Sequence, residues 1–401
     1  MIRKHTLSFW IAALGAFTVG AHASSGPQQR SLRALSMGNA FVAVVDDKDA
    51  IYYNPAGLDL INTLGNASAR PGLAAYPRTR FNARLNLIGG TVPLGQANDF
   101  FGFFKDHKDG LSNGLDGIRS DSTLFDDLAK FDQRAVELGL FEGLEFAMHD
   151  YGAAVWGDES VAPYADVGVL LPQAGIETIQ LDAVLQLATA HAFLNNRLSA
   201  GAGYRLANRQ TVKNYRVAAS SFSDGGKEVG RDAKDSLSEK FSNLSDFNSW
   251  GHGVDAGVLL QQNTWLRVGA AMQNMGMYLN HEYVTPELTV GAVVTPPLLS
   301  TGGYFARKVN LAVDLEDLLN DDRNYKPLSK VNVGMEVEQY LWWTASLRLG
   351  AGFKGGYWTA GTGLSLLSAL HIEAASWAEE AGYYTGHIEN RYYALRVGVG
   401  L

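Results

Sequence analysis

The most constraining feature of this chain is a pattern that its C-terminal half repeats: short stretches in which aliphatic and polar residues alternate. Val254, Ala256, Val258 and Leu260 share one parity, with Asp255 and Gly257 on the other. Leu266, Val268, Ala270 and Met272 stand in the same way against Arg267 and Gln273. The alternation returns at 288–294, 309–315, 331–337, 343–351, 358–364, 370–374 and 393–401, and is already visible at 81–87 and 198–206. A period of two sends successive side chains to opposite faces of a strand. Each stretch has about the 9–11 residues that a tilted strand needs to cross a bilayer, and about fourteen of them are expected. A soluble sandwich also alternates, but many repeats behind an export signal favour the membrane. In lipid no backbone group can go unpaired, so such a sheet must close. The expected fold class is all-β: a transmembrane antiparallel β-barrel.

Charge placement sets the facing. Asp255, Arg267, Asp314, Glu336, Arg348, Glu373 and Arg396 all lie on the parity opposite the aliphatic one. Turning one such Arg toward lipid near the midplane costs ~2–4 kcal/mol, and an acid less. These seven are therefore the candidate lumen-facing residues, with the aliphatic parity outward. Both signs occur among them, which predicts a lattice of paired charges rather than an open ion-selective pore. Trp265, Trp342, Trp343, Tyr357, Trp358, Tyr392 and Tyr393 fall at strand ends, where aromatic girdles belong.

The N-terminus reads as an export signal. Arg3 and Lys4 precede an apolar run over 7–19, and Ala21-His22-Ala23 supplies the small residues of a cleavage site. The run is shorter than the ~20 residues of a spanning helix. Residues 1–23 are thus expected to be a signal peptide cleaved after Ala23, and the mature chain to reside in the bacterial outer membrane.

Composition agrees. The 44 glycines and only 18% charged residues suit closed β-structure. The chain has no cysteine, which excludes thiolate metal sites, disulfides and a cysteine nucleophile. A net charge of −8 argues against nucleic acid as a partner.

Between signal and strands lies a segment, 24–62, with text of a different kind. Its core, 35–60, contains Met37-Gly38-Asn39-Ala40-Phe41, Asp46-Asp47-Lys48-Asp49 and Ala50-Ile51-Tyr52-Tyr53-Asn54-Pro55-Ala56-Gly57-Leu58. Pro55 forces an extended residue before it and a turn after it, and Ala56-Gly57 permits close backbone packing. A turn after a short helix would account for this on composition alone. The order of the pieces resembles the N-terminal segment of the FadL-like outer-membrane barrels, a superfamily of long-chain fatty acid transporters, PorV-like secretion-associated barrels and TraF-like plasmid-transfer proteins. The run 310–319 and the succession Val333-Gly334-Met335-Glu336, Leu347-Arg348-Leu349-Gly350-Ala351-Gly352 and 357–364 look like the closing strands of PorV-like barrels. Such barrels often end in Phe, whereas the last residue here is Leu401.

The resemblance implies a hatch inside the barrel, with Asn54, Pro55, Ala56 and Gly57 as its motif. Asn54 is expected to tie the hatch to lumen groups such as Arg348 or Glu336. The remainder, 63–401, is expected to form the barrel. It carries a helical insertion at about 120–148, read from Leu124, Leu128, Phe131, Ala135, Leu138 and Phe141, and a polar loop at about 220–248. The stretch 213–219 is a separate partner strand in this reading.

Chemistry is sparse. Gly350-x-Gly352-x-x-Gly355 matches a dinucleotide pattern but joins two strands, so it reads as a hairpin turn. No Gly-x-Ser-x-Gly, His-Glu-x-x-His or phosphate loop occurs. The acidic runs at 46–49 and around Asp317 read as solvated loops rather than calcium sites. No catalytic residue, metal ligand or cofactor is assigned. Two functions remain open under the resemblance. One is passage of hydrophobic small molecules across the outer membrane. The other is a non-transporting barrel that anchors a secretion or conjugation partner protein, with outer-membrane lipids around either.

Overall fold

The computed structural model describes residues 31–61, 81–93, 102, 105–107, 123, 127, 138–166, 173–218, 250–280, 282–300, 307–319, 330–342, 345–367, 369–380 and 389–400. Residues 1–30 with the expected cleavage site, the loop at 220–248, Trp343 and Leu401 lie outside them.

Fifteen strands form one sheet. They are β1 (Phe81–Val92), β2 (Leu138–Met148), β3 (Tyr151–Asp166), β4 (Gln173–Phe193), β5 (Leu198–Ala218), β6 (Trp250–Gln261), β7 (Leu266–Leu279), β8 (Glu282–Tyr283), β9 (Glu287–Val294), β10 (Arg307–Leu315), β11 (Val331–Trp342), β12 (Ala345–Lys354), β13 (Tyr357–Leu366), β14 (Leu370–Glu380) and β15 (Glu389–Gly400). Strand β8 is a two-residue spur on β7. The other fourteen pair antiparallel with their chain neighbours, and β1 meets β15 with Arg84 opposite Gly400, so the sheet closes into an up-and-down barrel. Closure leaves no open edge, as a bilayer demands.

Leu140, Leu144, Val155, Val258, Val268, Leu311, Val313, Val333, Leu349, Leu395 and Val399 are all exposed. They belong to the outward parity, and an apolar band running right round a closed barrel is a lipid-facing surface. Among the described residues no helix is long and apolar enough to cross a membrane; the strands do it. Of the expected girdle, Trp265, Trp358 and Tyr393 are exposed at strand ends. Tyr392 instead points inward and stacks on Trp377, ring centroids 5.5 Å apart.

Short turns gather at one rim, His149-Asp150 between β2 and β3 and Leu194 to Arg197 between β4 and β5, with one longer connection there, 295–306 between β9 and β10. At the other rim the chain makes its long connections, 93–137 and 219–249. In bacterial barrels short turns face the periplasm and long loops the exterior. Strands β4 and β5, 21 residues each, exceed the ~9–11 of a bilayer crossing and extend beyond it on the long-loop side.

Two expectations need correction. The helix expected over about 120–148 does not include 138–148, which form β2. Spacings of three and four between Leu138 and Phe141 suggested a helix. Gly139, Gly143 and Glu145 alternate with Leu140 and Leu144, however, and the pairing of β2 with β1 and β3 settles the period at two. Of 120–137 only Thr123 and Asp127 are described, joined by one helical-type bond. The separate strand at 213–219 is the end of β5, which runs unbroken to Ala218.

Residues 31–61 occupy the lumen. Helix α1 (Leu32–Ser36) is capped by Ser31, whose side chain accepts from the Ala34 N–H. Helix α2 (Ala50–Tyr53) ends where Asn54 becomes extended, and a 3-10 turn over Pro55–Leu60 follows. Phe41, Val44, Val45, Ile51 and Leu58 are fully shielded and form, with inward wall residues, the main apolar core.

Candidate functional site

The lumen segment is seated by glycines of the wall. A Cβ on Gly257 would strike the Asn54 side chain, one on Gly201 the Pro55–Ala56 backbone, and one on Gly334 Met37. Gly350 and Gly352, the glycines of the apparent dinucleotide pattern, face Ser36 and the Met37–Gly38 link, while Gly355 makes the β12–β13 hairpin at φ 56°. Gly38 itself has φ 64° and lies against the Phe353 backbone, so it is excluded from bearing a side chain twice over.

Asn54 is fully buried. Its Nδ2 donates to the carbonyls of Val42 at 2.9 Å, Val258 at 3.2 Å and Ala270 at 3.4 Å, and its Oδ1 accepts from the Ala56 N–H at 3.2 Å. It therefore anchors the segment to backbone of β6 and β7 and does not reach Arg348 or Glu336. The reason is geometric: the amide lies against β6 and β7, three or more strands along the sheet from β11. Pro55 occupies the first turn of the 3-10 helix, where its missing N–H costs nothing. Ala56 and Gly57 are buried, and a Cβ on Gly57 would meet Val45.

Six of the seven charged candidates are buried, and Arg348 is part-buried. Three of them hold the segment directly. Arg267 donates from Nε to the Ala43 carbonyl at 2.7 Å and from Nη2 to that of Val44 at 3.1 Å. Asp314 accepts the N–H groups of Phe41 at 2.6 Å and Val42 at 2.8 Å. Glu336 takes a two-pronged bond from Arg33, at 2.6 and 2.7 Å.

The other four stitch wall to wall. Arg348 spans Glu336 at 3.5 Å, Glu338 at 3.4 Å and Glu373 at 3.8 Å. Glu373 accepts from Arg396 at 2.6 Å and pairs with Arg84 at 2.9 Å. Asp255 receives Arg205 at 2.9 Å, Gln186 at 3.0 Å and the Asn274 N–H at 2.9 Å.

Several residues that sequence reasoning passed over complete the lattice. The run 46–49 is not a solvated loop. Asp46, Lys48 and Asp49 are buried: Asp46 pairs with Arg33 at 2.8 Å and with Lys308, while Lys48 bridges Asp49 at 2.5 Å and Glu145 at 2.9 Å. Burial works against the Arg33 charge, but Glu336, Asp47 and Asp46 together outweigh it and hold its pKa well above the usual value. Burial likewise pushes the Asp49 carboxyl up, and Lys48 beside it reverses the sign, leaving it below the ordinary range. Burial and then Glu145, which accepts the Tyr52 hydroxyl at 3.0 Å, raise the Tyr52 phenol. The available signal was the mixed sign of 46–49 next to Arg33, which a solvated loop does not require.

Above the segment, toward the long-loop rim, a cavity of about 230 Å³ remains between it and the wall. Val42, Tyr52 and Tyr53 line it from the segment, and Ala271, Gln273, Asn274, Glu287 and Thr289 from β7 and β9. Strand β7 is irregular there, with shifts in its register to β6 around Val254 and positive φ at Asn274 and Gly276. A bulge of this kind bends the wall and frees backbone groups.

No family model matches the chain, and no curated protein does. Among solved structures, the chain is similar to the P. putida toluene transporter TodX at 10% identity, covering 93% of this chain and 97% of that one, with a TM-score of 0.44. The CymD monoaromatic hydrocarbon channel is similar at 11% identity over 92% and 96%, TM-score 0.40. CdiB from Acinetobacter baumannii is similar at 8% identity over 80% and 60%, TM-score 0.35.

Proposed function

We propose that this chain is an outer-membrane transport barrel that admits small hydrophobic molecules from the long-loop side, with residues 31–61 as its gate. One observation carries the reading: the lumen is closed by a segment that is a separate piece of structure from the wall, and a cavity lies directly above it beside a bulged strand. A barrel whose only task is to span would fill its lumen with wall side chains. Here the wall is cut back to glycine where the segment passes. The cavity is below the ~300–1,000 Å³ of drug-sized pockets, which suits a small ring better than a long chain. Tyr52, Tyr53, Val42 and Ala271 supply its apolar faces, while Arg205, Glu287, Asp314, Glu316, Lys354 and Glu379 make the rest of its lining polar and charged. Export through a cleaved signal at 1–23 and residence in the outer membrane belong to the same proposal.

The test is accumulation of a panel of small radiolabelled hydrocarbons and long-chain acids by cells with and without the chain. Faster entry of the small solutes with the chain is expected. Equal entry, together with recovery of a specific cell-envelope protein on the purified barrel, would replace transport by the anchoring reading.

A further inference from the structure

We propose that Asp59, His149 and Asp150 form a divalent transition-metal site at the short-turn rim, which clips the end of the lumen segment to the β2–β3 turn. Asp59 lies in the 3-10 turn that closes the segment; His149 and Asp150 are the turn itself. One ligand atom of each lies within 4.8 Å of those of the other two.

The hydrogen bonding of His149 points to a cation. Its Nδ1 is 3.2 Å from the carbonyl oxygen of Ile61. A carbonyl only accepts, so Nδ1 carries the hydrogen, which leaves Nε2 as the ring nitrogen available to a metal. That nitrogen lies 3.7 Å from Oδ2 of Asp150. Nε2, this carboxylate and the carboxylate of Asp59 converge on one point, as the donors of a metal site do. The Oδ1 of Asp150 is shielded from solvent and has no hydrogen-bond partner.

The surroundings resemble the outer shell of a metal site. A ligating histidine gives its other N–H to a carbonyl or carboxylate, as His149 does to Ile61, and ligating carboxylates are themselves hydrogen-bonded. Asp59, 2% exposed, accepts the Ser199 hydroxyl at 2.5 Å. The backbone of Asp150, held at φ 67°, donates to Leu58 at 3.3 Å and accepts from Ala190 at 2.9 Å. Metal–ligand distances of ~2.0–2.2 Å put tetrahedral ligand atoms about 3.4 Å apart, so modest side-chain rotation closes the site. The His149 side chain is 44% exposed, which leaves a path for entry and open positions for water. One imidazole and two carboxylates with no thiolate suit Zn²⁺ and its neighbours rather than Cu⁺.

The test uses the full chain purified in detergent, stripped with chelator and titrated with Zn²⁺ by calorimetry, and with Co²⁺ by visible absorption. A second readout is maleimide labelling of Leu60→Cys, because the chain has no other cysteine and Leu60 is buried. One Zn²⁺ per chain is expected, His149→Ala and Asp59→Asn should each weaken it by about 100-fold, and Zn²⁺ should slow labelling in a way that chelator reverses. Equal binding by His149→Ala and the parent, both keeping heat-modifiable mobility, overturns the site. Binding that leaves labelling unchanged overturns the clip. Labelling slowed by mild acid and not by Zn²⁺ assigns Nε2 a proton and overturns the metal.

Discussion

Arg33 of the lumen segment grips Glu336 of β11 with both prongs of its guanidinium, at 2.6 and 2.7 Å, across 303 positions of sequence. Both side chains are only 1% exposed. Breaking a buried pair from one side strands the other charge, at ~3–5 kcal/mol. Arg33→Ala should therefore lower the unfolding temperature of the purified barrel markedly. Arg33→Ala with Glu336→Gln should recover part of the loss, because the stranded charge is gone. Additive losses in the double-mutant cycle would mean that the pair does not act as a unit.

The seat of the segment predicts a rescue. Gly257→Val places bulk on the Asn54 amide and should destabilise or expel the segment. Adding Asn54→Ala should relieve part of the clash, although three hydrogen bonds from Nδ2 are lost with it. Single-channel conductance in planar bilayers reads this directly: high for Gly257→Val and lower for the double variant. Equal conductance in the parent and Gly257→Val would show that the contact does not hold the gate.

Facing is tested from both sides of the wall. Leu395 is 54% exposed in the lipid band, so Leu395→Arg should cost ~2–4 kcal/mol and reduce insertion. Ser346 has the inward parity near the short-turn rim, and Ser346→Arg should insert normally. Loss of heat-modifiable mobility in both would contradict the assignment. Gly398 is unsuitable for such a test, because a Cβ there would lie 3.1 Å from the Asn86 side chain.

Acid should loosen the segment. The Asp49 pKa is depressed in the folded state, so its stabilising contribution is complete above its ordinary 3.8 and is lost as pH falls below that value. Conductance should rise below about pH 4 and recover on return to neutrality. In Asp49→Asn the acid step should be smaller; an unchanged step would place the titration elsewhere.

The strands were legible because lipid outside and charge inside impose opposite demands on alternate residues, as Leu311 and Val313 against Asp314 show. Where side chains on both parities were apolar or small, as in 138–148, local spacing favoured the wrong period until strand partners decided it. The acidic run at 46–49 was misread for a related reason. Lys308, the partner of Asp46, is 262 positions away, and no local reading pairs them. The partners of Asn54 are main-chain carbonyls, which the identities of the residues around them do not reveal.

The seam between β1 and β15 is tied to the seat of the lumen segment through Arg348, which spans Glu336 and Glu373. Glu373 on β14 receives Arg84 from β1 and Arg396 from β15, and Glu336, the grip for Arg33, sits on β11. The segment precedes every strand in the chain, yet these charged partners lie on the first strand and on the last five. A closed barrel with an empty lumen would leave Glu336 without Arg33, so the sheet and its filling are coupled through one set of charges.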